Sequence, residues 1–276
     1  MKLNIEYGDL MDASKLRQTD QHKYLRKWAK LISTFRKSRP SYSHHALASM
    51  IEQGIVSFLL SLNVDNLLSI AGVDTALFSS DAGNKRCVEI HGCALQSKCR
   101  KCSRITQTND EILLQFHDGF PAPCPVCRDP EGGLWPAILH YNEHNTHSEA
   151  MLKFEKHHIG KPSVVVFLGT SVRNDAKKII KNWAPNSITV RIDKLPPNSE
   201  QKKLFDYHMV CEIDDLMKML LTRLSISLPN SITRQTPSHQ SVMNTIICNL
   251  EATKSASSEH RIAKYLSKVQ IYSDLI

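Results

Sequence analysis

No stretch of this sequence is apolar for long. The longest apolar runs, residues 55–62 and 164–168, are far too short to span a bilayer. The opening residues Met1-Lys2-Leu3-Asn4-Ile5-Glu6 contain no apolar core of a secretory signal. The expected location is therefore nuclear or cytoplasmic, not secreted and not at a membrane. In that reducing environment the eight cysteines are not expected to build a disulfide framework. There is no G-x-G-x-x-G and no P-loop, so the chain carries no self-sufficient nucleotide-binding fingerprint. No internal repeat stands out. With 276 residues, 41% hydrophobic and 22% charged, the composition is that of an ordinary globular chain with a sizeable core.

The net charge of +8 is unevenly spread. Residues 1–40 hold ten basic and four acidic residues, and residues 222–276 hold six and three. The body between them is near neutral. Basic ends either attract nucleic acid or an acidic partner, or are simply solvated.

Periodicity places a helix over 20–35, with Leu25, Trp28, Leu31, Ile32 and Phe35 on one face and Lys23, Arg26, Lys27 and Lys30 on the other. A second helix fits 43–53, with Gly54 as its stop. Residues 55–62 read as a buried strand and 88–90 as a short one. The clearest unit is β-α-β: a buried strand at 164–168, a turn at Gly169-Thr170-Ser171, a helix at 174–184 and a strand at 188–192. A strand near His208 and a helix to Leu221 follow. The polar run 225–258 reads as a mostly disordered tail. The three main strands are expected to be adjacent in a parallel core.

The sharpest chemical signal is Cys99-x-x-Cys102 followed by Cys124-x-x-Cys127. Two such knuckles suit tetrahedral thiolate binding of a structural Zn²⁺, with Lys98, Arg100, Lys101 and Arg104 offsetting the thiolate charge. Cys87, Cys93, Cys211 and Cys248 read as small core residues. The turn Gly169-Thr170-Ser171 lies at the carboxyl end of a strand, where α/β sheets gather ligands. Asn63-Val64-Asp65 and His91 also follow strands. His91, Asn63 and Ser171 are expected to face one cleft.

In order, these pieces resemble the sirtuin family, the NAD-dependent protein-lysine deacylases. The matching residues are Pro40 and His44, Asn63-Val64-Asp65 with Leu67, Ala71-Gly72, Glu89-Ile90-His91-Gly92, the two CxxC pairs, Gly133-Leu134 with Pro136, Gly169-Thr170-Ser171, and Ile192-Asp193. Pro196-Pro197-Asn198 and Phe205-Asp206-Tyr207 look most like the fungal nuclear branch that deacetylates histones.

The resemblance implies an α/β fold: an incomplete Rossmann-like parallel sheet with helices on both faces, plus a small zinc-binding module. It implies a basic helical segment over 1–39, a catalytic core over 40–221 with the zinc module inserted at about 93–135, and a largely disordered tail over 222–276. His91 matches the general base that takes a proton from the nicotinamide ribose. Asn63 and Asp65 match the ribose and nicotinamide pocket. Gly169, Thr170 and Ser171 match the turn at the adenosine end. Asp193 stands where the family usually has an Asn at the adenine ribose. The four cysteines match the zinc ligands. NAD is the implied co-substrate and an acetylated lysine, of a histone, the implied target, with weak nucleic-acid or chromatin contact through the basic ends.

Departures from the family pattern accompany the match. A Gly-Ala-Gly-Ile-Ser type phosphate loop and the central strand before it occur nowhere in the sequence. Leu62, Trp135 and Asn142 stand where the family has Gln, Arg and Gly. Two readings follow. One is a deacetylase whose phosphate-loop region lies outside the given sequence. The other is a catalytically inactive relative acting as a zinc-bearing interaction module. A zinc-ribbon protein binding nucleic acid through its basic ends is a third reading, outside the family.

Overall fold

The computed structural model describes residues 20–76, 85–128, 132–139, 164–170 and 187–228, with the strands Glu251–Ala252 and Val269–Ser273. In chain order the elements are α1 (Gln21–Lys37), α2 (Tyr42–Glu52), β1 (Val56–Ser61), α3 (Leu67–Ile70), β2 (Thr75–Ala76), β3 (Cys87–Glu89), β4 (Gly92–Cys99) and β5 (Ile105–Gln107). They continue with α4 (Asp110–Asp118), β6 (Leu134–Ile138), β7 (Val164–Leu168), β8 (Ile188–Asp193), α5 (Ser199–Leu204), β9 (Tyr207–Val210), α6 (Ile213–Arg223), β10 (Glu251–Ala252) and β11 (Val269–Ser273). The helix expected at 174–184 lies outside the described residues. The chain forms two compact units.

The first unit joins α1 to Asn63–Asn66 and to the segment from Glu89 through β6. Asp20 caps α1 by accepting from the Lys23 N–H at 2.9 Å, and Arg36 and Lys37 close its last turn, where cations suit the carbonyl end. Its buried stripe is Tyr24, Leu25, Trp28, Ala29, Leu31 and Ile32. This stripe shares one core with Ile112, Leu113 and Phe116 of α4, Leu134 and Trp135 of β6, and the cysteines Cys99 and Cys124. The basic N-terminal helix is thus built into the cysteine-bearing unit. Arg26 donates to the Asp118 carbonyl at 3.1 Å, and Arg36 pairs with Asp110, so part of the basic face ties α1 to α4.

The antiparallel strands β5-β4-β6 back this core. Gly119 ends α4 with a left-handed φ of 90°, and a side chain there would meet His22 at 3.0 Å. Only glycine satisfies both demands.

The second unit is built on an eight-stranded sheet ordered β10-β9-β8-β7-β11-β1-β3-β2. The pairs β9–β8, β8–β7, β7–β11, β11–β1 and β3–β2 are parallel, and β10 is antiparallel to β9. All five residues of β7 are buried. Val164, Val166 and Leu168 face a core with Ala46, Leu47 and Met50 of α2 and Leu216, Met217 and Leu221 of α6. On the alternate face, Phe167 meets the Phe205 ring with centroids 5.0 Å apart.

Two expectations change here. The strands at 55–62 and 164–168 are not neighbours, because β11 lies between them. The reading of 222–276 as a largely disordered tail does not hold at Glu251–Ala252 and Val269–Ser273, which pair into the sheet. At Val269–Ser273, hydrogen bonding to two buried neighbours outweighs the polar composition of the surrounding tail. The run Val-Gln-Ile-Tyr-Ser is also rich in strand formers.

Candidate active site and metal centre

The cysteine knuckles are two copies of one turn. β4 ends at Cys99, and the Ser103 N–H donates back to the Cys99 carbonyl at 3.0 Å. The Arg128 N–H does the same to Cys124, also at 3.0 Å. Ser103 and Arg128 both take a left-handed φ, 58° and 51°. Each turn therefore aims two sulfurs inward. Cys99 Sγ lies 3.6 Å from Cys127 Sγ, and Cys102 Sγ lies 3.7 Å from Cys124 Sγ.

All four sulfurs fall within 4.8 Å of one another. A tetrahedral ion with Zn–S bonds of about 2.3 Å sets its ligands about 3.8 Å apart, so the geometry fits Zn²⁺. The backbone N–H groups of Cys127 and Val126 and the neighbouring thiols hold the Cys124 thiol down to about 6, against the drive of burial. That favours the thiolate, which is the metal-binding form. Arg100 stacks its guanidinium 3.3 Å over the Trp135 ring, so Trp135 anchors a cation beside this centre. Cys87 and Cys93 are buried, as expected of core residues, while Cys211 is half-buried and Cys248 lies outside the described residues.

A second cluster forms in the same unit from two separate chain segments. Asn63 and Asp65 are buried after β1, and the Val64 carbonyl accepts from the Ala94 N–H at 2.8 Å. Glu89 ends β3, and His91 opens the turn into β4, with its carbonyl accepting from Leu139 N–H at 2.9 Å. Glu89 is 1% exposed, and neither of its carboxylate oxygens has a hydrogen bond among the described residues. Burial, reinforced by the charge of Asp65, pushes Glu89 up to about 8. Burial, then Glu89 and Asp65, also push the Cys93 thiol up to about 12. Asn63, Asp65 and His91 thus belong to one unit with a buried carboxyl whose pKa is raised by burial. The sequence reading assigned Glu89 no role. Its signal was a lone acid between Val88 and Ile90 in the short strand expected at 88–90.

The other expected residues belong to the second unit. Gly169 turns away from β7 with φ 61°, and its N–H donates to the Ile192 carbonyl at 2.8 Å. Thr170 is buried beside it in sequence. Ser171 lies outside the described residues. Asp193 ends β8, with Oδ2 accepting from Arg191 Nη2 and Oδ1 from the Leu195 N–H, both at 2.9 Å. Arg191 is 2% exposed, and its other terminal nitrogen, Nη1, donates to the Leu195 carbonyl at 3.0 Å. Asp193 therefore serves a buried cation and a backbone turn.

The Sir2 family model matches residues 2–176, a span that holds the Asn-x-Asp, His-Gly, paired-knuckle and Gly-Thr segments. The chain belongs to the Sir2 family. The match to that family begins in the basic segment and takes in α1, outside the 40–221 span of the sequence resemblance. Among related proteins, the chain is 25% identical over 189 residues to the NAD-dependent protein deacetylase hst4 of Emericella nidulans, covering 60% of this chain and 31% of that protein. It is 24% identical over 208 residues to the NAD-dependent histone deacetylase HST3 of Candida albicans, covering 67% and 41%. The chain spans about a third to a half of the length of the curated relatives it matches.

Among solved Sir2 structures, Sir2Tm bound to a propionylated peptide gives a TM-score of 0.62 at 16% identity, covering 81% of this chain and 87% of that one. A Sir2 complex with a p53 peptide and NAD⁺ gives 0.61 at 17% identity, covering 82% and 85%. The fold is thus the Sir2 α/β fold. No helix among the described residues is long and apolar enough to cross a membrane.

Proposed function

We propose that this protein is a sirtuin-type NAD-dependent protein-lysine deacetylase, acting on acetylated histones in the nucleus. The observation that carries the reading is that Asn63, Asp65 and His91, from two chain segments, belong to the same compact unit as the four-sulfur centre. In this reading the acetyl oxygen of the substrate lysine attacks the ribose carbon of NAD as nicotinamide leaves. His91 takes the proton from the ribose hydroxyl. Asn63 and Asp65 orient the nicotinamide ribose and amide; a water adds as the amide C–N bond breaks, so that the lysine leaves as the free amine and the acetyl group ends on ADP-ribose. Gly169, Thr170 and Ser171 hold the adenosine end. Cys99, Cys102, Cys124 and Cys127 hold a structural Zn²⁺, which keeps the unit folded and takes no part in the chemistry. The exposed Lys23 and Lys30 of α1 offer weak contact to nucleic acid or chromatin.

Domain roles follow the same reading. Residues 1–39 are a basic helical segment, 40–221 the catalytic core with the zinc module at about 93–135, and 222–276 a tail that reaches back to the sheet. The histone and nuclear parts rest on likeness to proteins named as fungal histone deacetylases.

A second reading is an inactive, zinc-bearing interaction module. The engagement of both Asp193 oxygens within its own turn favours it, because an adenine ribose must compete with Arg191 for that carboxylate. Titration calorimetry with NAD separates the two. Binding that is lost in Asp65→Ala supports the enzyme, and no heat supports the module.

A further inference from the structure

We propose that the outward face of α1 is a docking surface for the phosphate backbone of double-stranded DNA, carried by Lys23, Lys27, Lys30 and Lys37. The inference deepens the nucleic-acid contact named above and rests on that part of the reading alone, not on the deacetylase chemistry.

Helix geometry aligns the four lysines. At about 100° per residue, positions 23, 27, 30, 34 and 37 fall within about 80° of one another around the axis. Thr34 fills the one place in this row that is not a lysine. The buried stripe of Tyr24, Leu25, Trp28, Leu31 and Ile32 is centred about 140° away, so the row points outward. Lys23, Lys30, Thr34 and Lys37 are exposed, and Lys27 is half-buried. From Lys23 to Lys37 the row runs about 21 Å along the axis, at about 1.5 Å per residue.

The charge on this face is of one sign and uncommitted. α1 contains no Asp or Glu, and Asp20 just before it caps the helix by accepting from the Lys23 N–H. Among the described residues, none of the four lysines is in an ion pair. Two arginines of α1 are used differently. Arg26 donates to the Asp118 carbonyl and Arg36 pairs with Asp110, which fixes α1 against α4. The arginines anchor the helix and the lysines stay free.

The type and spacing of these charges select the partner. A lysine ammonium is a compact point charge that meets a phosphate without demanding a planar fork. No aromatic residue stands in the row, so nothing there stacks on the bases of a single strand. No Arg, Asn or Gln stands in it to read base edges, which leaves contact to the backbone without sequence preference. A row of about 21 Å covers about six base-pair steps of about 3.4 Å each, along a rod of regularly spaced negative charge.

The row is also held straight before it binds. Leu25, Trp28 and Ile32 are 0% exposed, in a core shared with Ile112 and Phe116 of α4. Docking therefore costs little ordering of the backbone. An acidic protein surface presents its carboxylates at irregular spacing, and a straight row of like charges matches it less well than it matches a duplex.

The test uses the 276-residue chain without NAD or acetylated peptide. Binding to labelled duplexes of about 20 base pairs, in two unrelated sequences, is followed by fluorescence anisotropy. Both duplexes are expected to bind equally, and log K is expected to fall against log salt with a slope of about −3 to −4, as about four phosphate contacts require. Lys23→Gln and Lys30→Gln are each expected to reduce that slope by about 0.9. The combination of Lys23→Gln, Lys27→Gln, Lys30→Gln and Lys37→Gln is expected to reduce it by about 3 and to weaken binding at least about tenfold at low salt, with zinc content and circular dichroism unchanged. Lys202→Gln with Lys203→Gln, at exposed positions of α5 in the other unit, is expected to leave slope and affinity as they are. If the wild-type chain binds neither duplex, or the fourfold variant keeps the wild-type slope, the proposal is wrong. Binding of labelled polyglutamate as tight as that of the duplexes at the same salt would make the face a surface for acidic protein and overturns it as well. NAD is absent throughout, so a failure of the deacetylase reading leaves these outcomes unaffected.

Discussion

Arg191 and Asp193 form a buried pair at the end of β8, with Nη2 and Oδ2 2.9 Å apart and the arginine side chain 3% exposed. The partners are two residues apart on one strand, so both side chains lie on the same face. Burial draws the Arg191 pKa down, and the Asp193 charge holds it up. Removing Asp193 leaves a guanidinium in the interior without its counter-ion. Asp193→Ala is expected to destabilise the second unit by about 3–5 kcal/mol, the usual cost of breaking a buried pair. Asp193→Asn keeps an acceptor for the Leu195 N–H and is expected to lose less. Urea denaturation of the three proteins measures the difference, and equal midpoints would show that the pair is idle.

Glu89 gives the first unit a pH dependence with a definite sign. Its carboxyl is raised from 4.5 to about 8, so between those values the folded state holds a proton that the unfolded state has released. Stability contributed by the neutral carboxyl is full below about pH 4.5 and falls as pH rises toward 8, by up to about 1.4 kcal/mol per pH unit. Glu89→Gln mimics the neutral form. It is expected to stabilise the protein at pH 8 and to leave it little changed at pH 4.5. Thermal melts of both proteins across that range provide the measurement, and a gap that does not widen with pH would contradict the assignment.

The four-sulfur centre predicts metal content. Purified protein is expected to carry about one Zn²⁺ per chain, as a four-thiolate site does. Cys124 and Cys99 share a core with Trp28 and Phe116, so loss of the ion loosens the packing of α1 as well. Cys124→Ser is expected to lower both zinc content and solubility. Elemental analysis with size exclusion decides it, and a metal-free, folded, monodisperse wild-type preparation would contradict the claim.

The four-sulfur centre was legible in sequence because thiolate chemistry is local: each knuckle is a four-residue turn, and only the pairing of the two is remote. The first helix was legible from Leu25, Trp28 and Ile32, whose spacing is set by the helix itself. The place of α1 was not, because its burial comes from Ile112 and Phe116, far away in the chain. The strand at 164–168 was legible as a continuous apolar run, as a parallel strand buried on both faces requires, and that at 188–192 from its β-branched residues Ile188, Thr189, Val190 and Ile192. β11 was hidden because five residues with mixed polarity, set in a polar tail, gain their structure from two neighbours more than a hundred residues away. Asp193 was read as a ligand contact, yet its partner Arg191 stood two positions earlier in the same strand. Period-two spacing was the signal that could have paired them.

The most direct test of the enzymatic account is an assay of the 276-residue protein with NAD and an acetylated histone peptide, following nicotinamide release and acetylated ADP-ribose by mass spectrometry. The lack of a Gly-rich phosphate loop removes charge-assisted donors worth about 1.5–3 kcal/mol each, so turnover is expected to be slow and to rise when a strand and loop of that type are supplied. The account predicts that both products form in equal amounts, only when the acetylated peptide is present, and vanish in His91→Ala. Absence of both products from the wild-type protein, with or without a supplied loop, would contradict it.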